Sequence, residues 1–377
     1  MKTKAVYLTF FLLLSILSSP AVAQWTDITP TLTGTSRVQS MTMYGGNLYA
    51  GIGHTGAAGQ VWRYDGTTWA NVSPPWDSSN IFLYSMAVYG ADLYVGTLNN
   101  GGAGQVWRYD GSTWTNVSPP WDSSNTNASK MASFGGNLYA ATGNDSGAAQ
   151  VWRYNGTTWS NVSPPWDSSQ TSALSMAVYG ADLYAGSGGT GATAQVWRYD
   201  GTTWSNVSPP WDSSQTSALS MAAYGANLYA GTQNKTAGAG QVWQYDGASW
   251  TNVTPPWNAD NAWVMSMVSY GGNLLVGTFN GVGGSELWQY NGSTWTALAV
   301  PWGANSTEVL AMAVNSSILY VTSLEVRTSS QVWQFAQTSQ GAAAVPAMSD
   351  LGMLMFIALA GLGSAYYLKR GREPERR

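Results

Sequence analysis

Short apolar stretches alternate with glycine-rich and polar turns along most of this chain. In one copy, an apolar stretch at residues 85–89 is followed by a turn and by the alternating stretch 93–97. A glycine-rich loop then leads into residues 105–109, and an Asp-Gly turn leads into residues 112–117. Short runs bounded by Gly, Asn and Asp predict antiparallel strands joined by tight turns, and helical periodicity is absent. Each copy is therefore expected to form four strands.

The stretch QVWRYDGTTW at residues 60–69 recurs with starts at 105, 150, 195, 241 and 286, and in part at 331. The intervals are 45, 45, 45, 46, 45 and 45 residues, which indicates one copied and stacked unit. Seven copies are counted from the first-strand methionines, which are Met41, Met86, Met131, Met176, Met221, Met267 and Met312. The third-strand and fourth-strand tryptophans give the same count. The sequence predicts an all-β, seven-bladed β-propeller of four-stranded antiparallel blades over residues 24–336.

The order of the strands predicts how the ring closes. The chain opens with a lone fourth strand at Trp25 and ends on a third strand at Trp333. The N-terminal strand is therefore expected to complete the last blade, which leaves no free blade edge to aggregate.

The composition of the chain argues against disulfide bonds and against a nucleic-acid partner. The chain has 43 Gly, 21 Trp, no Cys and only 9% charged residues, so packing must hold the fold without disulfides. Residues 24–336 contain 16 acidic and 8 basic residues, and 8 minus 16 gives a net charge of −8. This balance argues against a nucleic-acid partner.

Both ends of the chain carry targeting features. Residues 1–23 have a basic start, an apolar run and a small-residue cleavage site before Gln24, which predicts a secretory signal peptide. After a linker at 337–344, residues 351–368 contain no charge and precede a basic tail, which predicts a transmembrane helix with the repeats outside the cytoplasm.

The segment before that helix resembles the short IPTL-type sorting domain, a relative of the PEP-type signals that exosortases process in Gram-negative bacteria. The resemblance covers residues 345–377 and rests on Pro346, Ser349, Asp350 and Gly352 of the motif, where Val345, Ala347 and Met348 replace the Ile, Thr and Leu of the family pattern. It implies an exosortase-type enzyme as a partner, a transient anchor in the inner membrane, and transfer to the cell surface or extracellular matrix. A plain single-span anchor is the alternative.

The repeat itself resembles the kelch repeat. Residues 179–186, then 196–200 and Trp204, follow the kelch order of apolar strand, glycine turn, short Leu-Tyr strand, Tyr-Asp and Trp. The resemblance covers about 310 residues and implies a kelch-like propeller.

A third set of tryptophans lies in the loop from each fourth strand to the next first strand, four of them followed by Asp. The candidate ligand-binding residues of this loop are Trp76, Asp77, Trp121, Asp122, Trp166, Asp167, Trp211, Asp212, Trp257 and Trp302. This loop and the loop between the second and third strands share one face and differ between copies, as binding loops do. The tryptophans are expected either to stack on a sugar ring or to cap the blade edge, and the aspartates either to bind or to cap a turn.

The sequence predicts no catalytic residues, metal site or cofactor, since it shows no nucleophile–base set, phosphate-binding loop or cluster of metal ligands. The expected function is therefore multivalent binding of a glycan or matrix polymer through the loop face, where repeated weak sites gain avidity. A surface scaffold for protein–protein interaction is the alternative.

Overall fold

The computed structural model describes residues 24–32, 36–54, 56–189, 191–236, 238–325 and 329–336. Trp25–Ala336 forms a compact unit. The predicted signal peptide, linker, transmembrane helix and sorting motif lie outside the described residues. Within the described part of the chain, no helix has the length and apolar character to cross a membrane.

The described secondary structure consists of short strands joined by turns. In chain order they are β1 (Gln24–Asp27), β2 (Ser36–Tyr44), β3 (Asn47–His54), β4 (Gln60–Tyr64), β5 (Trp69–Asn71), β6 (Asn80–Tyr89), β7 (Asp92–Asn99), β8 (Val106–Tyr109), β9 (Trp114–Asn116), β10 (Asn127–Phe134), β11 (Asn137–Gly143), β12 (Val151–Tyr154), β13 (Trp159–Asn161), β14 (Ser172–Tyr179), β15 (Asp182–Gly188), β16 (Gln195–Tyr199), β17 (Trp204–Asn206), β18 (Gln215–Tyr224), β19 (Asn227–Asn234), β20 (Val242–Tyr245), β21 (Trp250–Asn252), β22 (Trp263–Tyr270), β23 (Asn273–Phe279), β24 (Leu287–Tyr290), β25 (Trp295–Ala297), β26 (Ser306–Glu308), β27 (Met312–Asn315), β28 (Ile318–Glu325) and β29 (Ser330–Ala336).

These strands pair antiparallel in consecutive groups of four. The groups are β2–β5, β6–β9, β10–β13, β14–β17, β18–β21 and β22–β25. In the remaining group β26 and β27 both pair with β28, which pairs with β29, and β29 pairs with β1. The amide of Ile28, just after β1, also donates a 2.9 Å hydrogen bond to the Val332 carbonyl oxygen of β29. The prediction that the N-terminal strand completes the last group is confirmed.

The first strands of successive groups contact one another in a closed circle. Going round, β2 contacts β6, which contacts β10, and the series continues through β14, β18, β22 and β27 back to β2. An antiparallel four-stranded unit repeated around a central axis is the arrangement of a β-propeller.

Glycine is required where a second strand meets the first strand of the next group. At Gly96 a Cβ atom would lie 2.5 Å from Ser85 Oγ and 2.7 Å from Ala128 Cβ, closer than side chains pack. This close approach explains the Gly inside five of the second strands, which are Gly51, Gly96, Gly186, Gly231 and Gly277.

The fourth-strand tryptophans connect neighbouring groups. The Trp114 indole N–H donates a 2.6 Å hydrogen bond to the Val72 carbonyl oxygen of the preceding group, and the Trp114 ring stacks on Tyr109 at 4.7 Å. Six third-strand tryptophans bond to the side chain two residues earlier, as Trp107 does to the Gln105 Oε1 atom at 2.8 Å, and Trp333 bonds to the Ser323 hydroxyl of β28. The fourth-strand tryptophans thus connect the groups by hydrogen bonds as well as by packing.

The first strands are longer than the sequence indicated. The strand expected at residues 85–89 begins at Asn80 in the structure. The same pattern begins the next two first strands at residues 130 and 175, whereas in the structure β10 begins at Asn127 and β14 at Ser172. A β-bulge between Leu83 and Ser85 breaks the period-two alternation of the strand, so the sequence pattern does not show that the strand continues before the bulge.

Candidate functional site

The loop tryptophans lie in the protein interior. Trp121, Trp166, Trp211 and Trp302 are buried, with 7–8% of their surface exposed, and Trp76 and Trp257 are half-buried. Each indole N–H donates to a backbone carbonyl oxygen 17 residues earlier, and the acceptors are Gly59, Gly104, Ala149, Ala194, Gly240 and Ser285.

This burial favours the capping role of the loop tryptophans. The rings of Trp121, Trp166, Trp211 and Trp302 pack in the cores and leave little open face on which a sugar ring could stack, whereas Trp76 and Trp257 are half-buried. Their hydrogen bonds tie the end of each fourth strand to the loop before the third strand. The geometry is that of a blade cap, one of the two roles expected from the sequence, and sugar binding by these tryptophans stays a prediction.

The aspartates that follow these tryptophans close turns. Asp122 Oδ1 accepts a 2.9 Å hydrogen bond from the Ser124 backbone N–H and a second from the Ser124 hydroxyl. Asp77, Asp167 and Asp212 make the same two bonds to a serine two residues later. These donors favour the charged form and lower the pKa of each carboxyl group. All four act as exposed turn caps.

A different site opens at the centre of the circle of first strands, on the face that carries the predicted variable loops. The Asn99 amide, at the end of a second strand, donates to the Thr126 carbonyl oxygen just before the next first strand, so both kinds of loop meet at this edge. A cavity of about 630 Å³ lies there. We call it the mouth, and it is lined by the polar side chains Arg37, Gln39, Tyr84, Asn127, Ser129, Lys130, Ser172 and Glu308. The apolar lining comes from Leu174, Leu219, Trp263, Met265 and Leu310.

The β-bulges supply much of this lining. A register shift in each of six first strands leaves one residue unpaired, and these residues are Gln39, Tyr84, Ser129, Leu174, Leu219 and Met265. All six line the mouth. Bulges commonly aim a side chain into a functional site, and here they do so around the circle.

Within the first strands, the copies differ most at the mouth. Deeper in the channel every copy has Met, and a second cavity of about 100 Å³ lies against five of these methionines. Two residues before that Met the copies carry Gln39, Tyr84, Ser129, Leu174, Leu219, Met265 and Leu310, and four residues before it Arg37, Phe82, Asn127, Ser172, Ser217, Trp263 and Glu308. The residue three before it is a buried Val, Leu or Ala in all copies. The repeat is thus kept where it packs and altered where it faces the cavity.

The altered residues divide the mouth into two sides. The groups that begin at β2, β6 and β10 contribute polar side chains, and those that begin at β14, β18 and β22 contribute mainly Leu, Met and Trp. On the apolar side the Trp263 ring stacks on Phe279 at 4.2 Å, which fixes its orientation. The site is amphipathic and has no sevenfold repetition.

The arginine and the lysine of the mouth have different environments. Arg37 pairs with Glu308 at 2.7 Å, and burial raises the pKa of Glu308. Lys130 stands at the position where five copies have Ser, and burial lowers its pKa. The ion pairs of the described residues join Arg37 to Glu308, Arg108 to Asp92 and Arg198 to Asp182, so none of their carboxylates pairs with Lys130.

Sequence reasoning did not identify the mouth residues. Trp263 is the only tryptophan of the sequence outside the three repeat positions, but the sequence pattern does not show that it lies in a first strand. Aligning the copies on the channel Met reveals the divergence directly. Among the described residues, no group of three or more His, Asp or Glu side chains could hold a metal ion.

Comparison with known proteins supports the fold and leaves the family open. No protein-family model matches the sequence, and no curated protein matches it. A solved structure described as "YCF48 bound to D1 peptide" is similar in fold, with a TM-score of 0.58 and 14% sequence identity. The similarity covers 85% of this chain and 97% of that one. The chain therefore has a β-propeller fold.

Proposed function

We propose that this protein is an exported, non-catalytic binding propeller of seven blades that holds a partner at the mouth of its central channel. One observation carries the proposal, namely that the copied unit has diverged where its side chains face the mouth. Divergence at one cavity, in a chain that keeps its packing positions, is expected when that cavity holds a ligand. A cavity of about 630 Å³ is also within the range of ligand sites.

The same observation favours one asymmetric site over seven equal weak sites. A multivalent lectin would keep its contact residues in every copy, and the tryptophans that are kept are buried. We therefore assign binding to the mouth and prefer a protein partner to a glycan. The similar YCF48 structure is described as bound to a peptide, which agrees with a protein partner here.

Export and surface sorting complete the proposal and rest on the sequence. The signal peptide at 1–23 and the segment at 345–377 deliver the kelch-like propeller to the surface or matrix of a Gram-negative cell. An exosortase-type enzyme removes the C-terminal segment, and binding takes place outside the cell.

The test compares residues 24–336 with two variants. In the first, Leu174 and Leu219 are changed to Ser, which the same bulge position already carries at Ser129. In the control, the exposed Val178 of β14 is changed to Ser. All three proteins are immobilised and exposed to the surface proteins and matrix polymers of the producing cells.

Capture of a protein by the wild type and the control, with loss in the mouth variant, supports the proposal. If the wild type binds a polymer and the mouth variant still binds it, the proposal is contradicted and the binding site lies on another surface. Thermal unfolding of all three proteins checks that the variants are folded.

A further inference from the structure

Lys130 is the residue of the mouth whose presence the packing does not explain. At the equivalent position Ser40, Ser85, Ser175, Ser220 and Ser266 each donate a hydrogen bond of 2.7–2.8 Å to a carbonyl oxygen of the next group. A lysine cannot make this short bond and keep its ammonium group at the cavity.

The structure compensates for the lysine one residue earlier. The Ser129 hydroxyl donates a 2.5 Å hydrogen bond to the Ala173 carbonyl oxygen and so keeps the contact between the groups. Lys130 is left to line both the mouth and the deeper cavity. Because Ser129 makes the hydrogen bond between the groups, the Lys130 ammonium group is free to contact an anion in the cavity.

A second polar atom in the mouth also lacks a partner. The Gln39 Oε1 atom is buried and accepts no hydrogen bond from the described residues. Gln39 lines the same two cavities as Lys130. A buried acceptor without a donor is costly, so a ligand N–H or O–H group that reached this atom would be favoured.

The remaining charges of the mouth do not compete for the same role. Arg37 and Glu308 lie 2.7 Å apart and neutralise each other, which leaves Lys130 as the uncompensated charge among the described residues of the lining. Leu174, Leu219 and Met265, from the first strands of the three groups that follow along the circle, form an apolar wall. The mouth therefore combines a cation, a hydrogen-bond acceptor and an apolar surface.

We infer that the mouth binds a polypeptide segment in which an acidic side chain pairs with Lys130, a backbone N–H donates to Gln39 Oε1, and flanking apolar side chains lie on the Leu174–Leu219 side. A peptide supplies a carboxylate, N–H donors and apolar groups together, which matches the three features of the cavity. This inference rests on the proposed function, since it names the chemistry of the partner at the same site.

The experiment uses the compact unit, residues 24–336, and pooled tripeptides of the form acetyl-X-Glu-X-amide, where X is Leu, Val, Phe, Met or Trp. Matched pools carry Gln or Lys in place of Glu, and octanoate serves as a carboxylate without a peptide backbone. Binding is measured by NMR titration of the wild type and of Lys130→Ser, which restores the residue of the other copies. Lys235→Ser, in a loop, is the matched lysine control.

The Glu pool is expected to bind about tenfold more tightly than the Gln pool, since a hydrogen bond to a charged group contributes roughly that difference. The Lys pool is expected to bind most weakly. Lys130→Ser should remove the preference for Glu, Lys235→Ser should keep it, and Gln39→Leu should weaken the Glu and Gln pools equally.

Equal binding of the three pools, or a preference for Glu that survives Lys130→Ser, would overturn the inference and leave the mouth as a binding site. Binding of octanoate in place of the peptides would overturn the assignment of a polypeptide. If no pool binds, and none shifts the mouth resonances, the inference falls together with the proposed function.

Discussion

The Ser129 hydroxyl donates a 2.5 Å hydrogen bond to the Ala173 carbonyl oxygen, across the boundary between two neighbouring groups. In the preceding group the equivalent bond runs from Ser85 to Ala128, one position later in the strand. The bond between groups has thus moved by one residue in β10. Because the bulge leaves both positions near the channel, the strand keeps the bond and gains a position for Lys130.

This shift predicts an energetic coupling between Ser129 and Lys130. Ser129→Ala should lower the free energy of unfolding by about 1 kcal/mol, the usual contribution of one hydrogen bond. In the Lys130→Ser background the same change should cost much less, because the serine introduced there can make the bond as Ser85 does. Urea unfolding of the four proteins of the double-mutant cycle measures the coupling. Additive costs would show that the two positions do not exchange this bond.

The buried loop tryptophans predict large stability effects. Trp121→Ala should lower the free energy of unfolding by about 3–5 kcal/mol, because it leaves a cavity in a packed core. Trp121→Phe should cost less, since it keeps most of the ring but leaves the Gly104 carbonyl oxygen without its donor. Denaturant unfolding compares both with Asp122→Asn, which keeps the oxygen acceptor of the turn. A Trp121→Ala protein as stable as the wild type would show that the Trp121 side chain lies at the surface and not in a packed core.

The turns between third and fourth strands predict the response to acid. Asp65, Asp110, Asp200 and Asp246 each accept hydrogen bonds from hydroxyl and backbone N–H groups of the turn, and these bonds hold the pKa of each carboxyl group below its ordinary value. In unfolded chains these groups have ordinary pKa values, so the unfolded state binds protons first as the pH falls. Their contribution to stability is therefore present above about pH 4 and is lost below it.

The chain contains the control for this effect, because Asn155 and Asn291 make the same turn bonds without a charge. Changing the four aspartates to Asn should flatten the loss of unfolding free energy between about pH 5 and pH 2. Glu308, whose pKa burial raises, acts in the opposite direction and is unchanged in the variant. Thermal unfolding across this pH range measures the difference. An equal loss in both proteins would assign acid sensitivity to other groups.

The targeting segments predict the ends of the mature protein. Protein recovered from the cell surface should begin at Gln24 and lack the apolar segment and basic tail after residue 350, which intact mass spectrometry measures. Pro346→Ala should leave unprocessed chain in the membrane fraction, whereas Ala343→Ser, just before the motif, should not. A surface form that keeps residues 351–377 would favour the plain anchor.

The repeat made much of the fold predictable. The fixed spacing, the turn residues and the lone strand at Trp25 predicted the antiparallel groups and the pairing of β1 with β29, because local patterns determine strands and turns. The turn role of Asp122 was also visible, since Asp followed by two serines commonly closes a turn.

The site was less predictable, because the direction of a side chain depends on details that the pattern does not contain. One bulge residue, such as Tyr84, reverses the alternation beyond it and turns a position towards the channel. The burial of Trp121 depends on a carbonyl oxygen 17 residues away. The sequence gives Lys130 no special role, because the contact of Ser129 with Ala173 of the neighbouring group is seen only in the structure.

The pairing of β1 with β29 also orders the events of folding in time. The strand Gln24–Asp27 is made first, and its partner Ser330–Ala336 comes after all the other strands. The last group therefore cannot form completely until synthesis of the repeats is finished. A chain that ends anywhere before Ser330 leaves β1 without its partner strand. An unpaired β1 thus distinguishes incomplete chains from complete ones.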